Sequence, residues 1–193
     1  MGRAKAALAI DARGETFLRR LVRTLTAAQL PEIIVVTGAA AAMTRAAAGR
    51  VRRHVRFAHN DDWATGQLSS LLRGLEERPR DLVEAALVTL VDAPFASAAT
   101  IARVLNTWRR SRALIVRPAR GELHGHPVVF DRALFAELRA ADPRVGAKAI
   151  IRAHERDIVN VDVDDAGAFV DVDTPEEYEG ALRAVADSLR SSG

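Results

Sequence analysis

The residue best placed to do chemistry in this sequence is an aspartate at the end of an apolar run. Leu87-Val88-Thr89-Leu90-Val91 leads straight into Asp92-Ala93-Pro94. That order sets a carboxylate where a buried strand of an open α/β sheet would stop, and ligands of such sheets bind in the crevice beyond the carboxyl ends. A hard oxygen donor there suits Mg2+, which binds through one or two carboxylates together with substrate phosphates. Turn capping ahead of a proline accounts for the same aspartate equally well, so spacing alone leaves both readings open.

A second acidic group is Val170-Asp171-Val172-Asp173. Two residues apart on a strand, Asp171 and Asp173 project from one face and reach a shared cation. Asp173 also stands just before Thr174, where negative charge favours a helix N-terminus. His126 lies between Gly125 and Pro127, which suits a loop that contacts a substrate and suits an ordinary turn as well. Ser69 and Ser70 sit near an expected helix start, placed either to donate to a phosphate or base or to cap the helix. His54, His59, His124 and His154 show no metal-ligand spacing. The sequence has no cysteine, which excludes a thiolate nucleophile, a thiolate metal site and a disulfide framework.

These residues need a scaffold, and the sequence describes one. Apolar runs alternate with helical patterns, the signature of a largely parallel sheet flanked by helices. Glu15 to Leu30 reads as an amphipathic helix, Glu32 to Gly38 as a buried strand, and an alanine-rich helix follows. Val55 to Phe57 is a short strand, Gln67 to Leu75 a helix, and Ala86 to Val91 a second buried strand. Ser97 caps a helix running to Trp108, and Ala113 to Val116 is the next strand. A polar loop then leads to Pro127 to Phe130 and to helices around Leu134 and Ile150. Ile158 to Val163 and Ala168 to Val172 read as strands, and Thr174-Pro175-Glu176-Glu177 opens the last helix with a capping box. The expected fold class is a Rossmann-like three-layer α/β/α domain with a mostly parallel sheet, one domain over residues 1–193. Trp63 and Trp108 read as packing residues.

Charge and hydropathy narrow the function. Lys and Arg number 28 against 25 Asp and Glu, a net +3, which does not call for a nucleic-acid partner. The tightest basic cluster, Arg50, Arg52, Arg53, His54 and Arg56, carries no interleaved aromatics and reads as a solvated helix end. No apolar run approaches the roughly 20 residues of a membrane span, and the N-terminus has no apolar signal-peptide core. The expectation is a cytoplasmic enzyme or binding protein with no membrane partner.

Five stretches, in order along nearly the whole chain, resemble the molybdenum cofactor cytidylyltransferase branch of the MobA-like nucleotidyltransferases. Met1 to Leu8 resembles the tail of that family's N-terminal signature, L-A-A-G-x-S-x-R-M-G-x-x-K. Asn60 to Leu72 resembles its N-x-x-W-x-x-G-x-x-S-S-L segment, and Val91-Asp92-Ala93-Pro94 its V-D-x-P metal motif. Gly125 to Phe130 resembles its G-H-P-V-x-F loop. Asp171 to Tyr178 resembles its D-I-D-T-P-E-D-Y run.

The resemblance implies transfer of CMP from CTP to molybdopterin with release of pyrophosphate. It implies Mg2+ held by Asp92 with Asp171 or Asp173, and Lys5 neutralising the phosphates. Gly66, Ser69 and Ser70 would border the nucleotide base, and Gly125 and His126 would face the pterin. GTP in place of CTP and a non-catalytic molybdopterin carrier are the alternatives it leaves. A molybdoenzyme or its chaperone is the implied recipient of the product. The family's first strand, its Gly-rich turn and the arginine ahead of Met1 have no counterpart in this sequence. A start placed too late in the reading frame is the favoured explanation, and a truncated relative is the other.

Overall fold

The structure, a computed structural model, describes residues 4–11 and 13–191. Thr16 opens the first helix, its hydroxyl accepting from the Arg19 N–H, and α1 (Phe17–Ala27) buries Phe17, Leu18, Leu21 and Leu25 along one stripe. β1 (Ile33–Thr37) and β2 (Val55–His59) pair in parallel, Ile33 opposite Val55 and Thr37 opposite His59. α2 (Ala41–Ala48) links them. α3 (Gln67–Glu76) follows β2 and leads to β3 (Ala85–Val88). Ser97 caps α4 (Ala98–Ser111) by accepting from the Thr100 N–H, as its position before the helical pattern predicts.

A second sheet is built on β4 (Ile115–Arg120). It pairs antiparallel with β6 (Val128–Asp131) and with the short β5 (Leu123–His124), and parallel with β7 (Ile158–Asp162). β6 pairs antiparallel with β3 on its far side, so this sheet is mixed where the pattern of apolar runs suggested mostly parallel pairing. α5 (Phe135–Ala140), α6 (Ala147–Ala153) and α7 (Pro175–Ser191) complete the chain.

Strand alternation sends side chains to two helical layers. Val116 and Val129 face a core with Ile101, Val104 and Leu105 of α4 and Leu25 of α1. Their neighbours Ile115, Val128 and Phe130 face the opposite core with Leu68 of α3, Leu138 of α5 and Ile150 of α6. The result is the expected three-layer α/β arrangement. The first of these cores also takes in Ile33, Val55 and Val35, so apolar packing joins β1 and β2 to the larger sheet. Hydrogen bonds do not: among the described residues, β1 pairs only with β2 and β3 only with β6.

One expected strand, Ala168 to Val172, is absent among the described residues. Ahead of α1, Lys5–Ala7 form a 3-10 turn and a single bridge joins Ala9 to Thr16. Ala168 to Val172 contains the end of a 3-10 turn, Ala166–Phe169, followed by irregular chain. Its apolar alternation mimics a strand, but its backbone groups bond elsewhere. The Val172 N–H donates to the Asp92 carbonyl, and the Ala168 carbonyl accepts from the His126 N–H. Buried Val172 packs with Phe17 and Ile10 under the site instead of joining a ladder.

Leu138, with no exposed surface, anchors the α5 side of the core. Leu138→Ala is expected to cost about 2–5 kcal/mol of stability through lost burial and the cavity left behind, read as a lowered denaturation midpoint with an unchanged slope.

Candidate functional site

Lys5, Asp92 and Asp173 meet at one point although 168 residues separate the first from the last. The Lys5 ammonium donates to Asp92 Oδ2 at 3.0 Å and to Asp173 Oδ1 at 2.5 Å. Asp92 lies just past β3 in a turn closed by the Ala93 N–H on the Leu90 carbonyl, and its own carbonyl is fastened to Val172 at 2.9 Å. Lys5 is placed by its 3-10 turn. The chain after that turn is held by Phe17, whose N–H donates to the Leu8 carbonyl, and by the Tyr178 hydroxyl, which donates to the Ala9 carbonyl. Thr174 and Glu177 form the expected capping box of α7: each side chain accepts from the other's backbone N–H, and Glu177 also accepts from the Asp173 N–H. That fixes Asp173 against the helix start.

The electrostatics follow from this packing. Burial alone would lower the Lys5 pKa, but its bonds to Asp173 and Asp92 outweigh it and hold the ammonium above the ordinary lysine value. Asp92 is the shielded partner, its side chain 18% exposed against 68% for Asp173. Its second oxygen, Oδ1, is buried and has no hydrogen-bond partner. A buried anionic oxygen without a partner is costly, and a hard cation is one chemistry that would satisfy it. Two carboxylates match what Mg2+ takes from protein when substrate oxygens and water fill its other positions. Among the described residues no three His, Cys, Asp or Glu side chains gather as a complete cage. Asp171 is exposed and makes no ion pair or hydrogen bond among the described residues, and with no strand here the shared face expected of Asp171 and Asp173 is not formed.

Gly125 and His126 form a second group, tied to the first through the segment after β7. The His126 N–H donates to the Ala168 carbonyl at 2.8 Å, and the Gly125 N–H to the Pro118 carbonyl at 3.1 Å. A Cβ on Gly125 would fall 2.0 Å from the Ala168 carbonyl oxygen, so only glycine allows this approach. His126 Nδ1 is buried without a partner, a second unsatisfied polar atom at the site. The peptide bond from His126 to Pro127 is cis.

Asp165, which the sequence did not single out, pins this segment to α4. Its carboxylate accepts from the Ser97 N–H at 2.8 Å, the Thr100 hydroxyl at 2.6 Å and the Gly167 N–H at 3.1 Å. Burial pushes its pKa upward, but those bonds prevail and hold it below the usual carboxylate value. Gly167 in turn lies against the Phe95 carbonyl, three residues beyond Asp92.

Gly66, Ser69 and Ser70 make a third group, around Asn60. Gly66 takes a positive φ of 125° at the start of α3. The buried Asn60 amide donates to the Ser69 and Ser70 hydroxyls at 2.8 and 3.0 Å. The Ser69 hydroxyl points back to the Gly66 carbonyl, so neither serine caps α3. No direct hydrogen bond joins this group to Asp92 or His126 among the described residues. Trp63, read from sequence as a packing residue, is 48% exposed with its side chain lying over Gly38 at the end of β1. Trp108 is buried, its indole bonded to Asp131.

Three of the remaining histidines and Arg56 of the basic cluster have local partners, His59 pairing with Asp61. His54 bonds Thr26, and His154 pairs with Glu137 and Asp157. Arg56 pairs with Glu32 and Glu77. Arg50 and Arg52 border a surface hollow of about 210 Å3 with Arg19 and Arg23, and a larger one of about 360 Å3 lies between Glu84, Arg112, Asp131 and Arg132. Neither contains a site residue, so chemistry rather than concavity marks this site. No described helix is long and apolar enough to cross a membrane.

Comparison with known proteins adds an independent line. The model of a family described as the MobA-like NTP transferase domain matches residues 1–158. The fold is shared with Rv0371c from Mycobacterium tuberculosis H37Rv, at 22% identity and a TM-score of 0.78 over 95% of this chain and 91% of that one. A structure of the same protein in complex with manganese superposes with a TM-score of 0.72 at 23% identity, covering 94% of each chain. Molybdopterin-guanine dinucleotide biosynthesis protein A from Archaeoglobus fulgidus aligns at 14% identity and a TM-score of 0.69, over 96% of this chain and 92% of that one. No curated protein sequence matches.

The bonds on Asp165 set a pH signature. A carboxylate held below its unfolded value adds stability that is present above about pH 4 and fades as pH falls through the folded pKa. Asp165→Asn is expected to lose about 1–3 kcal/mol at pH 7. The gap to the unaltered protein should narrow toward pH 3 in chemical denaturation curves.

Proposed function

On the premise that the chain belongs to the MobA-like NTP transferase family, we propose that it transfers CMP from CTP to molybdopterin, using a divalent cation held by Asp92 and Asp173. The observation that carries this reading is the meeting of Lys5, Asp92 and Asp173, together with the buried and partnerless Asp92 Oδ1. In the reaction, an oxygen of the molybdopterin terminal phosphate attacks the α-phosphorus of CTP. The bond from that phosphorus to the bridging β-phosphate oxygen breaks, and pyrophosphate leaves with the electron pair. Such transfers depend on positioning and charge neutralisation more than on covalent catalysis.

The residues divide that work. Asp92 and Asp173 would hold Mg2+, with Asp171, two residues before Asp173 in the chain, as a further oxygen donor in this reading. When bound, the cation supplies Lewis-acid neutralisation of nucleotide oxygens. Lys5 offsets charge on the phosphates. Gly66, Ser69 and Ser70 border the base, with the serines oriented by Asn60, and exposed Trp63 offers a ring face nearby. Gly125 and His126 face the pterin, where the partnerless Nδ1 meets a polar group of the acceptor. Residues 1–193 act as one catalytic domain in this reading. The manganese complex of a fold relative supports the divalent cation, and Mg2+ is the ion proposed here. A molybdoenzyme or its chaperone would receive the product.

GTP is the second reading, favoured by the Archaeoglobus fold relative, a molybdopterin-guanine dinucleotide biosynthesis protein. Pyrophosphate release measured with Mg2+, molybdopterin and either nucleotide separates the two. Release with CTP is the expected result, and tight pterin binding without release from either nucleotide identifies a carrier. Asp92→Asn keeps the side chain's shape and removes its charge. It is expected to lower turnover by about 10²–10³-fold with little change in melting temperature. Near-normal turnover in that variant rules out the assigned role of Asp92.

A further inference from the structure

We propose that Lys5 and the divalent cation exclude one another at Asp92 and Asp173, so that metal and nucleotide each prepare the site for the other. The inference rests on the metal reading above and concerns how that site is regulated.

One ammonium group bridges two carboxylates from distant parts of the chain. Among the described residues, Lys5 is the only cationic side chain paired with either one. The Glu177 carboxylate, bonded to the Asp173 backbone, adds further negative charge to the cluster. Lys5 therefore already balances the charge that would draw in a dication. A metal ion using the same carboxylates meets a like charge on shared oxygens, and such repulsion is strong at contact distance in a partly shielded site. Entry of the cation requires the lysine to leave.

The Lys5 side chain is 29% exposed, so a short rotation returns its ammonium to the surface. There it is free to pair with the oxygens of an anionic ligand. The exchange also runs in reverse. A triphosphate that draws Lys5 away leaves both carboxylates uncompensated and raises their affinity for the metal. By linkage, whatever the nucleotide adds to metal affinity, the metal adds to nucleotide affinity. In the apo protein the lysine acts as a placeholder that keeps the site closed to free cations until both ligands are present.

The test measures Mn2+ binding to the full chain by paramagnetic resonance of the free ion. It compares the unaltered protein, Lys5→Met and Asp92→Asn, with and without CTP, after allowing for Mn–CTP formed in solution. Lys5→Met is expected to bind Mn2+ about tenfold tighter in the absence of nucleotide, within the usual range of coupling between sites. CTP is expected to tighten Mn2+ binding in the unaltered protein and to do so much less in Lys5→Met. Lys5→Gln replaces Lys5→Met if the latter fails to fold. Equal or weaker Mn2+ binding by the lysine variant, or an undiminished CTP effect, overturns the exclusion while leaving the carboxylates as metal ligands. Mn2+ binding that Asp92→Asn does not alter overturns the metal reading itself.

Discussion

The site depends on one short segment, the irregular chain from Asp165 to Asp173. Three fastenings hold it. Asp165 grips the first turn of α4, the Ala168 carbonyl takes the His126 N–H, and the Val172 N–H takes the Asp92 carbonyl. Its last residue delivers Asp173 to Lys5. A single loop thereby sets the spacing between the acidic cluster and the histidine loop. Glycine at 125 and at 167 is what lets the backbones approach closely enough for these bonds. With Val172 fully buried beneath, the segment has little freedom to drift, and preorganisation of this kind is what charge-stabilising catalysis requires.

The same segment shows why sequence reading succeeded in some places and missed in others. Asp92 stood out by its place at the end of an apolar run, with turn capping as an equal reading, and the helix caps at Ser97 and Thr174 stood out because capping is local chemistry. Val170 to Asp173 alternates apolar and acidic residues as a strand does, and alternation carries no information about where the backbone hydrogen bonds go. Those bonds went to Asp92 and His126, both distant in sequence. Asp165 escaped notice for a related reason, since its bonds to Ser97 and Thr100 come from distant parts of the chain. Asn60 entered only as the first residue of a resembling segment, with no role assigned to its amide. Lys5 would have passed as a terminal surface lysine but for the resemblance of its neighbourhood to a known signature.

Packing and hydrogen bonding divide the structural work unevenly. The two sheets are joined by apolar packing with the helices on them, α1, α3 and α4 included, and among the described residues no ladder connects β1 to β3. Half-buried side chains along β3 belong to a strand paired on one edge. Just past that strand lies Asp92, so the acidic cluster sits beyond a strand with one paired edge among the described residues. Its geometry is kept by side-chain and loop contacts from Phe17, Tyr178 and Val172 more than by the sheet.

The central question is whether Asp92 and Asp173 grip a divalent ion that touches nucleotide oxygens. A crystal structure of the chain with Mn2+ and CTP, recorded with anomalous scattering, addresses this directly. The account predicts an anomalous peak against Asp92 Oδ1 and the nucleotide phosphates, with the Lys5 ammonium moved off Asp92. Nucleotide bound elsewhere, or bound with Lys5 still bridging both carboxylates and no metal peak beside Asp92, would contradict it.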